Sequence, residues 1–155
     1  MWNWKHFYED DSISAFCDLD QIIDTEADED GLYASPDCYR PLPTRFGVFI
    51  SIVMKNKADI ARYLEERKSR SLPPKGYKSY KYSLCLAEMD LRQMTCRVLS
   101  AGDFDTNDKE LEGGCFITEA AIFPGINDEW KPIRSKKSHP MVRELAKKFF
   151  PKEKE

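Results

Sequence analysis

The chain has 155 residues and a net charge of −3, with 41% apolar, 33% charged and 12% aromatic residues. That length fits one domain with a real core, and that aromatic content is too high for an intrinsically disordered chain. No run approaches the roughly 20 apolar residues of a membrane helix, and the start, Met1-Trp-Asn-Trp-Lys-His, has no apolar signal region.

In chain order, residues 11–24 predict a short helix, with Ile13, Phe16 and Ile23 on one flank and Asp10 to Ser12 as its cap. Residues 31–44 hold Gly31, Pro36, Pro41 and Pro43 and predict a surface loop. Phe46 to Met54 is β-branched, aromatic and apolar on both faces, which predicts a central strand. Asn56 then caps a helix from Lys57 to Arg70, with Ile60, Ala61 and Leu64 as its buried stripe and Tyr63 on the flank.

Residues 77–88 alternate as a strand with Tyr80, Tyr82, Leu84 and Leu86 on one face and Lys81 and Ser83 opposite. Residues 92–100 place Met94, Cys96 and Val98 together, so the two runs predict a hairpin through Met89-Asp90. A polar turn over 101–114 leads to a last strand, Cys115 to Phe123. Met141, Val142, Leu145, Ala146, Phe149 and Phe150 follow helical spacing, with Ser138 as cap, Pro140 in the first turn and Pro151 as stop. The expected fold is a single α+β domain over residues 1–155. It has a mostly antiparallel sheet of about four strands, with helices packed on one face.

Charge is strongly polarised. Residues 1–40 carry 11 acids against 2 bases, residues 41–130 balance at 13 each, and residues 131–155 carry 9 bases against 3 acids. Either the two ends neutralise each other within the monomer, or one end is an interaction surface that steers an oppositely charged partner. The acidic third also holds Trp2, Trp4, Phe7, Tyr8, Phe16, Tyr33 and Tyr39, the residue types that anchor cores and interfaces.

Within it, Glu26 to Asp37 partly resembles an EF-hand calcium loop in its alternating oxygens and its glycine, Gly31, at the sixth position. It begins on Glu26, ends on the shorter Asp37, has Tyr33 at the eighth position and is followed by prolines. A solvated acidic turn or an acidic contact surface accounts for it better. The five cysteines, at 17, 38, 85, 96 and 115, form no Cys-x-x-Cys pair and are odd in number, so neither zinc nor a disulfide scaffold is expected. No nucleophile elbow or phosphate loop occurs, and no cofactor motif is present. Glu129-Trp-Lys131 is a bare Glu-x-Lys that, with Asp103, Asp105 or Glu119, leaves a metal-dependent nuclease as the weakest of three readings.

The leading expectation is a non-enzymatic cytoplasmic protein that binds a basic protein partner. By composition and size it has the profile of an immunity or inhibitor protein that blocks a toxin nuclease. The partner-binding residues would be Asp10, Asp11, Glu26, Asp28, Glu29, Asp30, Tyr33 and Asp37. The alternative is a nucleic-acid-binding accessory protein. Its surface would be Arg67, Lys68, Arg70, Lys75, Tyr77, Lys78 and Lys81, whose bases take phosphate and whose tyrosine ring stacks on a nucleobase.

Overall fold

A computed structural model describes residues 2–25, 31–33, 44–112, 115, 129–133 and 139–149. Its strands are β1 (Lys5–Glu9), β2 (Ile13–Asp24), β3 (Gly31–Tyr33), β4 (Arg45–Met54), β5 (Tyr80–Asp90), β6 (Thr95–Asp105) and β7 (Lys131–Pro132). Its helices are α1 (Lys57–Ser69) and α2 (Pro140–Lys147), with a 3-10 turn at Tyr77–Ser79. The sheet order is β1-β2-β4-β5-β6-β7, with β3 pairing β2 off that path, and the described pairings are antiparallel. The sheet curls into a half-barrel and is wider than the four strands expected, although the α+β class holds.

Most of that extra width comes from the N-terminal segment. Residues 11–24 form strand β2, not a helix. Ile13, Ala15 and Cys17 alternate into the core, and the strand lies between β1 and β4. The Asp-Ser signature that can cap a helix here closes a hairpin. Asp10 Oδ1 accepts the backbone N–H groups of Ser12 at 2.7 Å and Ile13 at 2.9 Å.

β4 is the expected central strand. Phe46, Val48, Ile50, Ile52 and Met54 point to the inner face, and Phe49 to the outer. β5 has the opposite facing to the one expected. Ser83, Cys85, Ala87 and Met89 are inside, while Leu84 and Leu86 lie half-buried outside. A register shift between Tyr80 and Tyr82 in the β5–β6 pairing turns Tyr80 inward as well. Because the strand is apolar on both sides, its alternation cannot say which side is the core. β6 continues to Asp105, through residues expected to be a turn, and Met94 occupies the β5–β6 turn at φ 54° rather than the strand.

Both helices cover the inner face. α1 is capped as expected, Asn56 accepting the N–H of Asp59 at 3.1 Å. Its buried positions are Asp59, Tyr63 and Arg67, one helical turn apart, while Ile60 and Leu64 are half-buried and Ala61 is exposed. In α2 the residues Met141, Val142, Leu145 and Ala146 are buried against Ile50, Ile52, Cys85, Ala87 and Val98. Its cap is His139, whose Nδ1 accepts the N–H of Met141 at 3.1 Å, with Pro140 following. Ser138, Phe150, Pro151 and, apart from Cys115, the strand expected over 115–123 lie outside the described residues; of the loop expected over 31–44, residues 31–33 form strand β3 instead and 34–43 lie outside the described residues. Among the described residues no helix is long and apolar enough to cross a membrane.

Candidate functional site

Among the described residues, a buried polar assembly is centred on Asp103 of β6, which is 1% exposed. The hydroxyls of Tyr63 and Tyr77 donate to its Oδ2 at 2.6 and 2.7 Å, and Ser83 donates to its Oδ1 at 2.6 Å. Tyr80 and Ser83 share a further hydrogen bond of 2.7 Å. Arg67, 2% exposed, places Nη1 at 3.7 Å from Asp103 Oδ2 and donates from Nη2 to the Pro73 carbonyl at 3.0 Å. Its guanidinium carbon lies 3.8 Å from the Tyr77 ring centre, a cation–π stack. Tyr63 also meets the Cys115 sulfur at 3.7 Å.

These groups come from α1, the 3-10 turn, β5, β6 and residue 115, so the cluster joins elements far apart in sequence. Burial, reinforced by Asp103, pushes the Tyr63 and Tyr77 hydroxyls far above their usual range. Burial does the same to Tyr80. The three therefore stay protonated donors. Burial likewise pushes the Cys17 and Cys96 thiols up to about 11 and Cys85 up to about 12, which keeps them from acting as thiolate nucleophiles. Asp103 is enclosed and well supplied with donors. That is the signature of a group that fixes a fold, since a buried charge is tolerated only when paired and hydrogen-bonded.

The acids of the N-terminal third divide by role. Asp10 and Asp18 are turn formers. Tyr8 donates to Asp10 Oδ2 at 2.8 Å. Burial raises the Asp10 carboxyl, but the Ile13 N–H, the Tyr8 hydroxyl and the Ser12 N–H outweigh it and hold its pKa below the usual value. Asp18 is fully buried and accepts the Asn3 N–H at 2.9 Å, the Asp20 N–H at 2.9 Å and the Gln21 amide at 2.8 Å. Asp11 and Asp20 are exposed. Of the other expected partner-binding residues, Glu26, Asp28, Glu29, Asp30 and Asp37 lie outside the described residues, together with the calcium-like loop, and Tyr33 is described only through the backbone of β3. α2 packs on β1, where Tyr8 meets the His139 ring edge-on at 5.9 Å.

The expected nucleic-acid surface is split by the fold. Arg67 and Tyr77 are buried in the Asp103 cluster, facing away from solvent, while Lys68, Arg70, Lys75, Lys78 and Lys81 are exposed. Of the carboxylates considered for a metal-dependent nuclease, Asp103 is enclosed and Asp105 caps the turn after β6, accepting the N–H groups of Asn107 and Lys109. Glu129 pairs with Lys131 at 3.2 Å, and Glu119 lies outside the described residues. Among the described residues no three His, Cys, Asp or Glu side chains are grouped to hold a metal ion.

A second surface arises on the outer face, and sequence reasoning left it unresolved. Trp2 stacks on Trp4 at 4.7 Å and meets Phe49 of β4 edge-on at 5.2 Å. Between the two indoles, Asn3 binds Asp18 through its backbone and donates from its side chain to Asp20 Oδ2 at 2.6 Å. The N-terminal segment is thus tied down across the sheet, yet Trp2 remains 44% exposed. The signal for this site was the Trp-Asn-Trp spacing, which puts both indoles on one side of an extended segment. No protein-family model matches the chain, and no curated protein or solved structure is significantly similar to it.

Proposed function

We propose that this protein is a non-enzymatic interaction module that binds a basic protein partner through the acidic, aromatic surface of its N-terminal hairpin. In its most concrete form it is an inhibitor or immunity protein that neutralises a toxin. One observation carries the reading: a tryptophan, Trp2, stacked on Trp4 and edge-on to Phe49, stays exposed on a segment that Asn3 ties to the carboxylates of Asp18 and Asp20. Tryptophan is among the side chains most enriched in binding hot spots, and indole faces and carboxylates both attract lysine or arginine. Exposed Asp11 adds a further carboxylate at the turn of the same hairpin, where Glu9 is paired with Lys55 at 3.0 Å. In this reading the protein works in the cytoplasm, where thiols such as Cys17, Cys85 and Cys96 stay reduced.

The test is affinity capture with the full chain, at two salt concentrations and with a nuclease-treated arm. The expected result is a basic protein that survives nuclease and is lost with Trp2→Ala and Asp20→Asn. Retained material that disappears with nuclease, and that depends on Lys75, Lys78 and Lys81, would replace this reading with the nucleic-acid one.

A further inference from the structure

The outer face holds a second feature, reached from Trp2 through Phe49. A depression of about 180 Å³ is lined by Phe49, Leu84, Leu86, Ser100, Phe104 and Glu110. That is far more room than a single water needs. We infer that this depression receives a lysine side chain of the protein partner, its alkyl stem along Leu84 and Leu86 and its ammonium at the Glu110 carboxylate. The inference rests on the proposed function and names the chemistry of the contact.

Three observations select the occupant. First, Glu110 makes no ion pair or side-chain hydrogen bond among the described residues, although it lies against an apolar wall. An uncharged side chain covering it would strip water from a carboxylate and return nothing, which is costly, and an acidic one would be repelled. A cation is the occupant that repays the desolvation. Second, the floor is Gly102, where a Cβ would stand only 2.8 Å from Glu110 Oε2. The glycine lets the carboxylate lie over the strand instead of standing away from it. Third, the rim is aromatic and fixed. Phe104 stacks on Tyr82 at 5.2 Å and 6°, and Tyr82 donates to Asp108 at 3.0 Å. Aliphatic walls, ring faces and a single carboxylate suit a point charge on a four-carbon stem.

The pocket can be read without the partner. The labelled full chain is titrated with N-acetyl-lysine methylamide, and with the norleucine analogue, which has the same stem length and no charge. Resonances of the Gly102 amide and the Leu84 and Leu86 methyl groups report occupancy. Saturable shifts with the lysine compound are expected, weakened about two- to five-fold for the norleucine compound and in Glu110→Gln, the scale of one ion pair. Gly102→Ala should weaken binding similarly by displacing the carboxylate. Equal binding of the two compounds, unchanged binding in Glu110→Gln, or no saturation would overturn the inference. Partner capture that depends on Trp2 and Asp20 while the lysine compound fails would overturn the pocket alone. Lysine binding with no basic partner captured would overturn the proposed function and leave the pocket's preference for a basic side chain intact.

Discussion

Asp103 and Glu110 stand a short way apart in the chain, one on each face of the same sheet. Asp103 is turned inward, where three hydroxyls and a guanidinium gather around it. Glu110 follows the turn after β6 and lies back over Gly102 on the outer face, where the described residues give it no such partner. The turn serves both: its Leu111 N–H donates to the Asp103 carbonyl at 2.7 Å while Glu110 forms a β-bridge with Phe104. The contrast separates two uses of a carboxylate. A group whose hydrogen-bonding capacity is met inside the chain holds the fold together, and a group set on an apolar wall without a counter-charge is free to be met from outside.

The largest expected effect breaks the inner half of that contrast. Asp103→Ala strands Arg67 and three hydroxyls in the core and should cost about 3–5 kcal/mol, as for other broken buried pairs. A denaturant titration measures it as a lower midpoint. Glu110→Gln should move the same midpoint by less than about 0.5 kcal/mol, because a surface side chain away from packing contributes little to stability. If the two variants destabilise equally, the division between a structural and a recognition carboxylate is wrong. Tyr63→Phe sharpens the inner case. It removes one donor to a charged acceptor while keeping the ring, and should cost about 1.5–3 kcal/mol. On the outer face, Trp2→Ala should change stability less than Tyr63→Phe, since Trp2 is partly solvated, while abolishing partner capture.

How far the sequence discloses this arrangement depends on how local each determinant is. α1 is legible from its cap, Asn56 before Lys57, although its buried positions are Asp59, Tyr63 and Arg67 and not the expected Ile60, Ala61 and Leu64; α2 is legible from the turn-and-turn spacing of Met141, Val142, Leu145 and Ala146, although its cap is His139. β4 is legible because a strand buried on both faces is apolar throughout. β2 is misread because Asp10 and Ser12 suit either a helix cap or a hairpin turn, and only pairing with β1 and β4 decides. The facing of β5 is misread because Ser83, the polar residue, is the one that belongs inside. It is there for Asp103, which is remote in sequence. The Asp103 cluster has no sequence motif, since its members come from separate elements. For the same reason Arg67 and Tyr77 look like a basic, aromatic surface until the fold turns them inward. Glu110 is equally silent, because what distinguishes it is the absence of a side chain at Gly102 and the presence of Phe49 two strands away.

A pH-dependent effect resides in the helix that closes the inner face. His139 caps α2 through Nδ1, which accepts the Met141 N–H, and only a ring nitrogen without a proton can do so. Burial, with a smaller push from Arg143, lowers its pKa below 6.5, although Asp10 pulls the other way. A histidine whose folded pKa is depressed takes up protons more readily when unfolded. Its contribution is therefore complete above about pH 6.5, the unfolded value, and is lost as pH falls from there through the folded value. Asp10 works in the same direction, but its contribution is lost only in the more acidic range where carboxylates protonate. Melting temperature should thus decline first between about pH 6.5 and 5, before carboxylates contribute. His139→Asn supplies an amide oxygen that caps the helix at any pH, so it should leave stability at pH 7.5 within about 1 kcal/mol and flatten that early decline. A variant that keeps the full early decline would show that the acid response comes from some group other than the cap of α2.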